Sequence, residues 1–309
     1  MNTDSKIYIA GHNGLVGSAL VRALRMGGFS NILKRSRKEL DLLEQKSVNA
    51  LFKRERPEFV FLAAAKVGGI FANQTEPAKF IYENLMVQTN VLEAAHRHGV
   101  AKLLFLGSSC VYPRMAVQPI KEEYLLSGDL EPTNRSYGIA KIAGIISCQS
   151  YAEEYGSNFI SVMPTNLYGP HDNFDLKNSH AFPALIRKFH EAKRRRKKEV
   201  VLWGTGAPLR EFLHVDDLAD ACLFLMKNYD KPDILNIGTG EDISIKDLAL
   251  LIQNITGFKG ALVWDSSKPD GTPRKLLDVT RLHALGWRHK ISLSEGIRST
   301  YAWYTEHSL

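Results

Sequence analysis

The chain has 309 residues, enough for two domains of ordinary size or for one large α/β unit. Its hydrophobic fraction of 44% and its charged fraction of 24% are typical of globular proteins, which excludes disordered and collagen-like chains. The net charge of +7 suits an anionic ligand but is too small to indicate nucleic-acid binding by itself.

Strand and helix patterns alternate over the first 165 residues. Alternation of this kind requires parallel pairing with right-handed crossovers. The fold class is therefore predicted to be α/β, with a doubly wound parallel sheet of the Rossmann type. The predicted strands span 6–10, 31–34, 59–65, 102–107 and 158–163, and the predicted helices span 15–26, 76–99 and 136–155.

The rhythm changes after Pro164. A loop rich in Gly, Pro, Asn and Asp covers 168–180, which is typical of a domain boundary or an active-site loop. We therefore predict a cofactor-binding domain over 1–167, joined by later segments near 210–240, and a smaller C-terminal α/β substrate lobe over 168–309. In this lobe we expect helices at about 181–192, 215–228 and 244–256, with short strands near 200–203 and 261–264.

The three cysteines are Cys110, Cys148 and Cys222. An odd number without a C-x-x-C pair argues against a disulfide framework or a cysteine zinc site, and it favours a reducing compartment. The N-terminus lacks the basic and apolar segments of a signal peptide, and no apolar run reaches the ~18 residues that span a bilayer. We expect a soluble, cytoplasmic protein. Cys148 and Cys222 lie in apolar helical stretches and are interpreted as core residues.

Three glycines, Gly11, Gly14 and Gly17, follow the first strand and open the first helix. In this context the first glycine permits a tight turn, the second lets the backbone approach a pyrophosphate, and the third lets helix and strand pack closely. The helix N-terminus then offers free N–H groups to the phosphates. A glycine-rich turn without a ligand is the alternative, but the G-x-x-G-x-x-G spacing is typical of short-chain dehydrogenases/reductases.

The end of the second strand indicates which nicotinamide cofactor is used. An NAD enzyme usually carries an acid there, about 20 residues past the loop, for the ribose 2′-hydroxyl. This chain instead has Lys34 followed by Arg35, Ser36 and Arg37. Arginine grips a phosphate with two parallel hydrogen bonds, so the segment favours NADP(H). A solvated basic turn is the alternative interpretation.

Tyr137 and Lys141 are four residues apart at the start of a predicted helix, so their side chains share one face. An ammonium group beside a phenol is expected to stabilise the phenolate and to lower the tyrosine pKa, which favours proton exchange near neutral pH. Upstream, a buried strand delivers Ser108 and Ser109. A serine hydroxyl there can polarise a carbonyl while Tyr137 delivers the proton and the nicotinamide delivers hydride.

Together these motifs resemble the extended short-chain dehydrogenases/reductases that act on nucleotide sugars, and among them the GDP-L-fucose synthase family. The resemblance spans nearly the whole chain. It implies an NADPH-dependent epimerase-reductase that inverts C3 and C5 of GDP-4-keto-6-deoxy-D-mannose and then reduces C4. The segments that carry it are AAAKVGG (63–69), GSSCVYP (107–113), PTNLYGPHDNF (164–174), NSH (178–180), WGxG (203–206), REFLHVDD (210–217) and KPDGTPRK (268–275).

The resemblance implies that Cys110 and His180 carry out the epimerisation. A 4-keto group acidifies the protons at C3 and C5, and inversion needs a base on one face and an acid on the other. Cys110 can act as the base if positive charge lies near its sulfur, and His180 can return the proton. Without the resemblance, Cys110 is as readily a small buried residue and His180 a solvated loop residue.

The resemblance also implies binding residues. The catalytic set is Ser108, Cys110, Tyr137, Lys141 and His180. The substrate-binding set is Lys188, Trp203, Arg210, Asp270 and Lys275. The cofactor-binding set is Gly11, His12, Asn13, Gly14, Leu15, Val16, Gly17, Arg35, Ser36, Arg37, Leu106, Gly107, Ser108, Ser109, Lys141, Pro164, Thr165, Asn166, Leu167 and His180.

Two positions depart from the family pattern. Lys188 stands where many members carry Arg, and it keeps the charge without the planar fork. Asn13 stands where Arg is frequent, so the 2′-phosphate grip rests more heavily on Arg35 and Arg37.

Several alternatives remain open. A related GDP-4-keto sugar such as a 6-deoxy-heptose, or a simple 4-reduction, would use similar motifs. The basic run 193–198 has no interleaved aromatics, so a solvated helix end is favoured over nucleic-acid binding. The segment 171–180 offers two histidines and two aspartates, but the spacing is loose and the reaction needs no metal. No metal, nucleic acid or membrane is expected as a partner.

A homodimer is expected, because in extended short-chain reductases the helices equivalent to 76–99 and 136–155 form a four-helix interface. The apolar positions proposed to supply that surface are Leu85, Val87, Val91, Leu92, Ile142, Ile145 and Ile146.

Overall fold

The computed structural model describes residues 1–176, 179–268 and 270–307, so Asn178 of the NSH segment lies outside the described residues. Its strands are β1 (Ile7–Ala10), β2 (Ile32–Leu33), β3 (Phe59–Leu62), β4 (Lys102–Leu106), β5 (Phe159–Pro164), β6 (Asn166–Tyr168), β7 (Glu199–Trp203), β8 (Leu209–His214), β9 (Leu235–Ile237), β10 (Asp242–Ser244), β11 (Ala261–Asp265) and β12 (Arg274–Lys275). Its helices are α1 (Leu15–Met26), α2 (Gln45–Glu55), α3 (Ile70–Thr75), α4 (Pro77–Arg97), α5 (Arg135–Tyr155), α6 (Ala181–Arg194), α7 (Val215–Asn228), α8 (Ile245–Thr256), α9 (Thr280–Ala284) and α10 (Leu293–His307).

The main sheet is parallel and has the strand order β2-β1-β3-β4-β5-β9. The chain first moves outward from β1 to β2, and it then builds the rest of the sheet on the other side of β1. In open α/β sheets, ligands bind at the carboxyl ends of the strands beside such a switch point. The predicted doubly wound parallel sheet is confirmed.

Helices cover both faces of this sheet. As a result, β1, β4 and β5 are buried along their whole length. Ile7 and Ile9 of β1 face α1 and α7, whereas Tyr8 and Ala10 face α2, α4 and α5. Alternate residues of one strand therefore belong to two separate hydrophobic cores. The predicted core positions Cys148 and Cys222 are confirmed, since both are fully buried.

A third hydrophobic core lies in the C-terminal part. Side chains from α6, α8, α10 and β7 pack together there, and β7 pairs with β11. A smaller sheet joins β8 to β6, β10 and β12. From β8 the chain returns to the main sheet, where α7 packs against α1 and β9 pairs with β5.

Some elements differ from the sequence predictions. The strand predicted over 59–65 ends at Leu62, and the alanines that follow enter the loop. Several elements were not predicted from the sequence: helices α2, α3, α9 and α10 and the short strands β6, β8, β9, β10 and β12. None of the helices in the described part of the chain is long and apolar enough to cross a membrane.

Candidate active site

The loop between β1 and α1 depends on two glycines for close packing. Gly11 has a φ of +89°, and a Cβ there would lie 2.7 Å from the backbone nitrogen of Ala64, just beyond β3. A Cβ on Gly17 would overlap the carbonyl oxygen of Gly11. These are the tight turn and the close helix–strand approach that the glycine spacing predicts.

Gly14 plays a different part from the other two glycines. It is exposed at the N-cap of α1, and a Cβ there would meet only the Gly11 carbonyl oxygen, at 3.6 Å. Among the described residues no side chain caps α1, and its first turn contains no acid. The buried Nδ1 of His12 also lacks a described partner. Free N–H groups at an open helix N-terminus fit a pyrophosphate, so the loop fits the NADP cofactor.

The two arginines of the basic segment are held differently. Arg35 donates to Oε1 of Glu55 at 3.0 Å, and about a third of its side chain is exposed. Arg37 lies 3.9 Å from Oε2 of Glu83 and is 72% exposed. Glu55 thus partly neutralises Arg35, and Arg37 is the more open guanidinium for a 2′-phosphate.

Ser36 binds the first acid that follows the basic segment. Its N–H and its hydroxyl both donate to Oε2 of Glu39 at 2.7 Å, and these bonds lower the pKa of Glu39. Desolvation lowers the pKa of His12, and Lys34 lowers it further, whereas Glu39 acts to raise it. His12 is therefore held towards its neutral form.

The remaining predicted cofactor residues lie at the ends of two neighbouring strands. The segment 106–109 runs from the last residue of β4 into a 3₁₀ turn over Ser109–Val111, and 164–167 runs from the end of β5 into β6. Since β1 pairs with β3, β3 with β4 and β4 with β5, all in parallel, these segments share one edge of the sheet with the glycine loop.

Ser108, Tyr137 and Lys141 come together at this edge. Ser108 follows β4, and its hydroxyl oxygen accepts the N–H of Cys110 at 3.2 Å. Tyr137 lies in the first turn of α5, and a hydrogen bond from Ser108 acts to lower the pKa of the phenol. Lys141, one turn further on, is buried and places its Nζ 5.9 Å from the Tyr137 ring centroid.

The electrostatics of this pair differ from the sequence prediction. Desolvation raises the pKa of Tyr137, and Cys110 raises it further, so the predicted lowering is wrong for this state of the protein. The Nζ of Lys141 donates to the carbonyl oxygen of Leu106 at 2.7 Å and lies 4.7 Å from the Phe105 ring centroid. Burial lowers the pKa of Lys141 to about 8. The Lys141 ammonium is thus bound to a backbone carbonyl. For the pKa of Tyr137, desolvation outweighs the lowering effect of the Ser108 hydrogen bond.

Cys110 lies beside the phenol with two polar neighbours. Its Sγ is 3.2 Å from Nδ2 of Asn134, which donates to it, and 3.7 Å from Nζ of Lys275. His180 is the N-cap of α6, and its pKa is lowered by desolvation and then by Lys275. The Lys275 ammonium is therefore a neighbour that Cys110 and His180 share.

Trp203 and Lys188 form the outer part of the site. Trp203 ends β7 with 67% of its surface exposed. The Nζ of Lys188 lies 6.0 Å from the Trp203 ring centroid and donates to the carbonyl oxygen of Val201 at 3.3 Å. Lys268 lies 5.9 Å from the same centroid. An exposed indole flanked by two ammonium groups suits a planar, anionic ligand.

Arg210 and Asp270 connect this outer part to Cys110. Asp270 accepts the N–H and the hydroxyl of Thr205 at 2.7 Å, which fixes the loop after Trp203. Burial lowers the pKa of Arg210, and Asp270 opposes that effect. Arg210 pairs in register with Lys275 of β12. The predicted substrate residues thus lie along one continuous path to Cys110.

Two residues that organise the site were not predicted from the sequence. Glu211 is fully buried, and its carboxylate accepts three backbone N–H groups, from Thr239, Gly240 and Leu277, at 2.7–3.0 Å. Asn134 binds the sulfur of Cys110. A glutamate beside Arg210 and an asparagine before a helix are both ordinary surface features in a sequence, so neither carried a signal. Within the described ranges no cluster of His, Cys, Asp and Glu side chains could hold a metal ion.

The chain is similar in sequence to known proteins. Residues 7–238 match the NAD dependent epimerase/dehydratase family. The chain is 55% identical over 314 residues to the GDP-L-fucose synthase of Escherichia coli strain K12, covering 99% of this chain and 98% of that protein.

Two solved structures are also similar. A GDP-6-OMe-4-keto-L-xylo-heptose reductase from C. jejuni has a TM-score of 0.95 at 46% identity, with 99% of each chain covered. A GDP-L-fucose synthetase from Naegleria fowleri bound to NADP has a TM-score of 0.92 at 29% identity, covering 100% of this chain and 96% of that one.

Proposed function

The chain belongs to the NAD dependent epimerase/dehydratase family, and we propose that it converts GDP-4-keto-6-deoxy-D-mannose to GDP-L-fucose with NADPH. The full-length identity of 55% to a GDP-L-fucose synthase supports the substrate. The observation that carries the proposal is a series of neighbours: Cys110 raises the pKa of Tyr137, Lys275 lies 3.7 Å from the Cys110 sulfur, and Lys275 lowers the pKa of His180. A simple 4-reductase has no use for a thiol and an imidazole beside its proton donor.

The NADP-binding residues of this proposal follow the sequence predictions. The free N–H groups at the start of α1 bind the pyrophosphate, and Arg35 and Arg37 bind the 2′-phosphate. Bound NADPH supplies the hydride for C4 of the sugar. Segments 106–109 and 164–167 border the nicotinamide side, because they end the two strands next to Tyr137.

Proton transfer is divided between two sets of side chains. Cys110 removes the protons at C3 and C5 that the 4-keto group acidifies, and His180 returns protons on the opposite face. Ser108 then polarises the carbonyl, and Tyr137 gives a proton to the C4 oxygen. Lys141 keeps positive charge near that phenol. The keto group must serve both reactions, so epimerisation precedes reduction.

Trp203, Arg210, Asp270 and Lys188 bind the nucleotide part of the substrate in this proposal. The indole of Trp203 offers a stacking surface, and Arg210 offers two parallel donors to a diphosphate. Asp270 accepts from a base or a ribose hydroxyl. Reduction of a related GDP heptose remains the second candidate, because the C. jejuni heptose reductase has the same fold over its whole length.

The test uses GDP-4-keto-6-deoxy-D-mannose and NADPH in deuterated water, with the product sugar identified by NMR. We expect GDP-L-fucose with deuterium at C3 and C5. Tyr137→Phe should slow reduction by about 10²–10⁴-fold and still admit deuterium, since a general acid contributes that much. Cys110→Ser should stop deuterium entry while the reductase residues stay intact. Tyr155→Phe, on the same helix α5, is the matched control.

Two outcomes would contradict the proposal. An unepimerised product from the unmodified enzyme would indicate a simple 4-reductase. A Cys110→Ser enzyme that admits deuterium at the normal rate would remove the thiol from the mechanism. A faster reaction with a GDP-4-keto heptose would favour the second candidate.

The proposal includes a homodimer, with one change to the surface expected from sequence. Val87, Val91, Leu92 and Ile145 are buried inside the protomer, so they cannot supply an interface. The apolar surface that α4 and α5 leave open is supplied by Leu85, Ile142 and Ile146 together with Tyr82 and Ile139. A monomeric mass in light scattering at micromolar concentration would contradict the dimer.

We place the domain boundary at 167/168, with α7 and β9 belonging to the first domain because they pack on the main sheet. The three cysteines are unpaired, which supports action in a reducing compartment, the cytoplasm.

A further inference from the structure

Lys275 is directed at a sulfur atom and not at a carboxylate. Its Nζ lies 3.7 Å from Sγ of Cys110. Within the described part of the chain, no carboxylate lies at ion-pair distance from Lys275. Its neighbour Arg274 is bonded instead to Asp242, with Nε 2.5 Å from Oδ2. Adjacent cations of one short strand therefore have different partners.

The backbone that follows Lys275 is fixed by three hydrogen bonds. The carbonyl oxygen of Leu276 accepts the N–H of Ile120 at 2.8 Å, and the N–H of Leu276 donates to the Gln118 side chain at 2.8 Å. One residue further, the N–H of Leu277 donates to the buried carboxylate of Glu211 at 3.0 Å. A strand anchored in this way holds the ammonium group in place against the thiol.

The other described groups that face Cys110 bring no second ammonium or guanidinium group to its sulfur. Asn134 donates a neutral hydrogen bond to the sulfur, and Tyr137 of α5 faces it with a phenol whose pKa is raised. Ser108 approaches with a hydroxyl, and His180, at the start of α6, has its pKa lowered by desolvation and by Lys275. Among the described residues, Lys275 is the cation that lies against the Cys110 sulfur, and it also lowers the pKa of His180.

We propose that Lys275 is the electrostatic partner of Cys110, stabilising its thiolate as the base and making the His180 imidazolium a stronger acid, and that it is not primarily a substrate-binding residue. This inference rests on the proposed function for its role in catalysis, although the contact between Lys275 and Cys110 needs no substrate. The proton balance is simple. The thiolate takes the C–H proton and becomes a thiol, the imidazolium gives a proton to the other face, and exchange with solvent restores both.

The first experiment reads the thiolate directly and needs no substrate. Cys110 is the accessible cysteine, since Cys148 and Cys222 are fully buried. Its rate of alkylation by iodoacetamide is followed by mass spectrometry from pH 5.5 to 10. We expect the alkylation midpoint of Lys275→Met to lie about one pH unit or more above that of the unmodified protein, because an opposite charge within 4–6 Å shifts titration by that amount.

Three variants accompany this experiment. Lys275→Arg keeps the charge and should restore most of the shift, whereas Lys275→Gln should behave like Lys275→Met. Arg274→Met removes a charge one residue away and should leave the midpoint unchanged. Thermal melting of each variant shows that it is folded. An unchanged midpoint in folded Lys275→Met would overturn the inference, and so would an equal shift in Arg274→Met.

The second experiment measures deuterium entry into the sugar as a function of pH. Loss of Lys275 makes both the base and the acid titrate at higher pH, so both limbs of the bell-shaped profile should move upward together. A raised KM with an unmoved profile would instead return Lys275 to substrate binding. If the unmodified enzyme admits no deuterium while the alkylation shift is present, the proposed function fails and the Lys275–Cys110 pairing stands.

Discussion

The cofactor half and the substrate half of this molecule are held in shape by different means. Around the cofactor loop, two glycines of the segment 11–17 leave room for backbone, Gly17 for that of Gly11 and Gly11 for that of Ala64 at the end of the neighbouring strand. In the substrate lobe, side chains such as Glu211 and Asp270 bind backbone groups from distant segments. A site for an unchanging cofactor can thus be built into local backbone geometry. A site that selects a substrate is assembled from long-range polar contacts.

The largest expected effect comes from Glu211→Ala, which tests the long-range half of this comparison. The change leaves three backbone N–H groups without their acceptor, the buried one of Leu277 and the partly buried ones of Thr239 and Gly240, at a cost of about 1–2 kcal/mol each. We expect a loss of roughly 3–6 kcal/mol in the free energy of unfolding, measured by urea denaturation. A loss below about 1 kcal/mol would show that the contacts are dispensable.

Glu211→Gln is the matched control for that change. An amide can place its oxygen against the N–H groups of Thr239 and Gly240, but its NH₂ then faces the N–H of Leu277. We expect intermediate stability, with the segment that carries Lys275 loosened first. Hydrogen exchange at Leu277 should therefore increase more than hydrogen exchange at Gly240.

The second prediction tests the local half. Gly17→Ala forces a methyl group into the carbonyl of Gly11, and overpacking of this kind costs about 1–3 kcal/mol. Gly14→Ala makes only an ordinary contact with the Gly11 carbonyl oxygen, at 3.6 Å, so it should keep the melting temperature and weaken NADPH binding where the pyrophosphate approaches. Calorimetry measures the melting temperature of each variant, and fluorescence titration measures its affinity for NADPH. Equal melting temperatures for both variants would contradict the prediction.

The same contrast explains what the sequence could predict. The bounds of α7 were predicted at 215–228 as observed, and the glycine loop, the pair Tyr137 and Lys141, and the parallel sheet rest on spacing within short segments. The role of Lys275 depends on a contact with Cys110, 165 residues away in the chain. No pattern within a short segment indicates a contact between residues so far apart in the chain. The short strands of the smaller sheet were missed for the same reason, because each is defined by its partner.

The third prediction uses the pKa of Lys141, which burial lowers from 10.5 to about 8. If reduction needs the ammonium form, kcat/KM for reduction should fall about tenfold per pH unit above 8. The unfolded chain binds this proton up to a higher pH than the folded chain, so the contribution of Lys141 to stability rises with pH between about 8 and 10.5.

Stopped-flow reduction rates and urea titrations across pH 7–10 check both trends. Lys141→Met should lose activity and also the pH-dependent part of the stability. A reduction rate that stays constant up to pH 9.5 would argue against a catalytic ammonium.

The smallest expected effect concerns Arg35. Its ion pair with Glu55 is partly exposed, and such pairs contribute about 0–1 kcal/mol. Glu55→Gln should release Arg35 and strengthen NADPH binding up to about fivefold, with NADH binding unchanged. Changing both Arg35 and Arg37 to Ala should reduce the preference for NADPH. Fluorescence titration measures the affinities for NADPH and NADH, and Glu58→Gln is the control. Weaker NADPH binding in Glu55→Gln would contradict the prediction.

The pairing of β9 with β5 has a consequence for how the chain assembles as it is made. The segment between Pro164 and Leu235 includes α6, β7, β8 and α7, so β5 emerges from the ribosome well before its neighbour. Until β9 arrives, β5 presents an open strand edge, and such edges template pairing with other chains. Domains made during synthesis fold largely in order of emergence. The time that the substrate lobe takes to form therefore sets how long the nascent sheet is open to aggregation, whatever the stability of the finished protein.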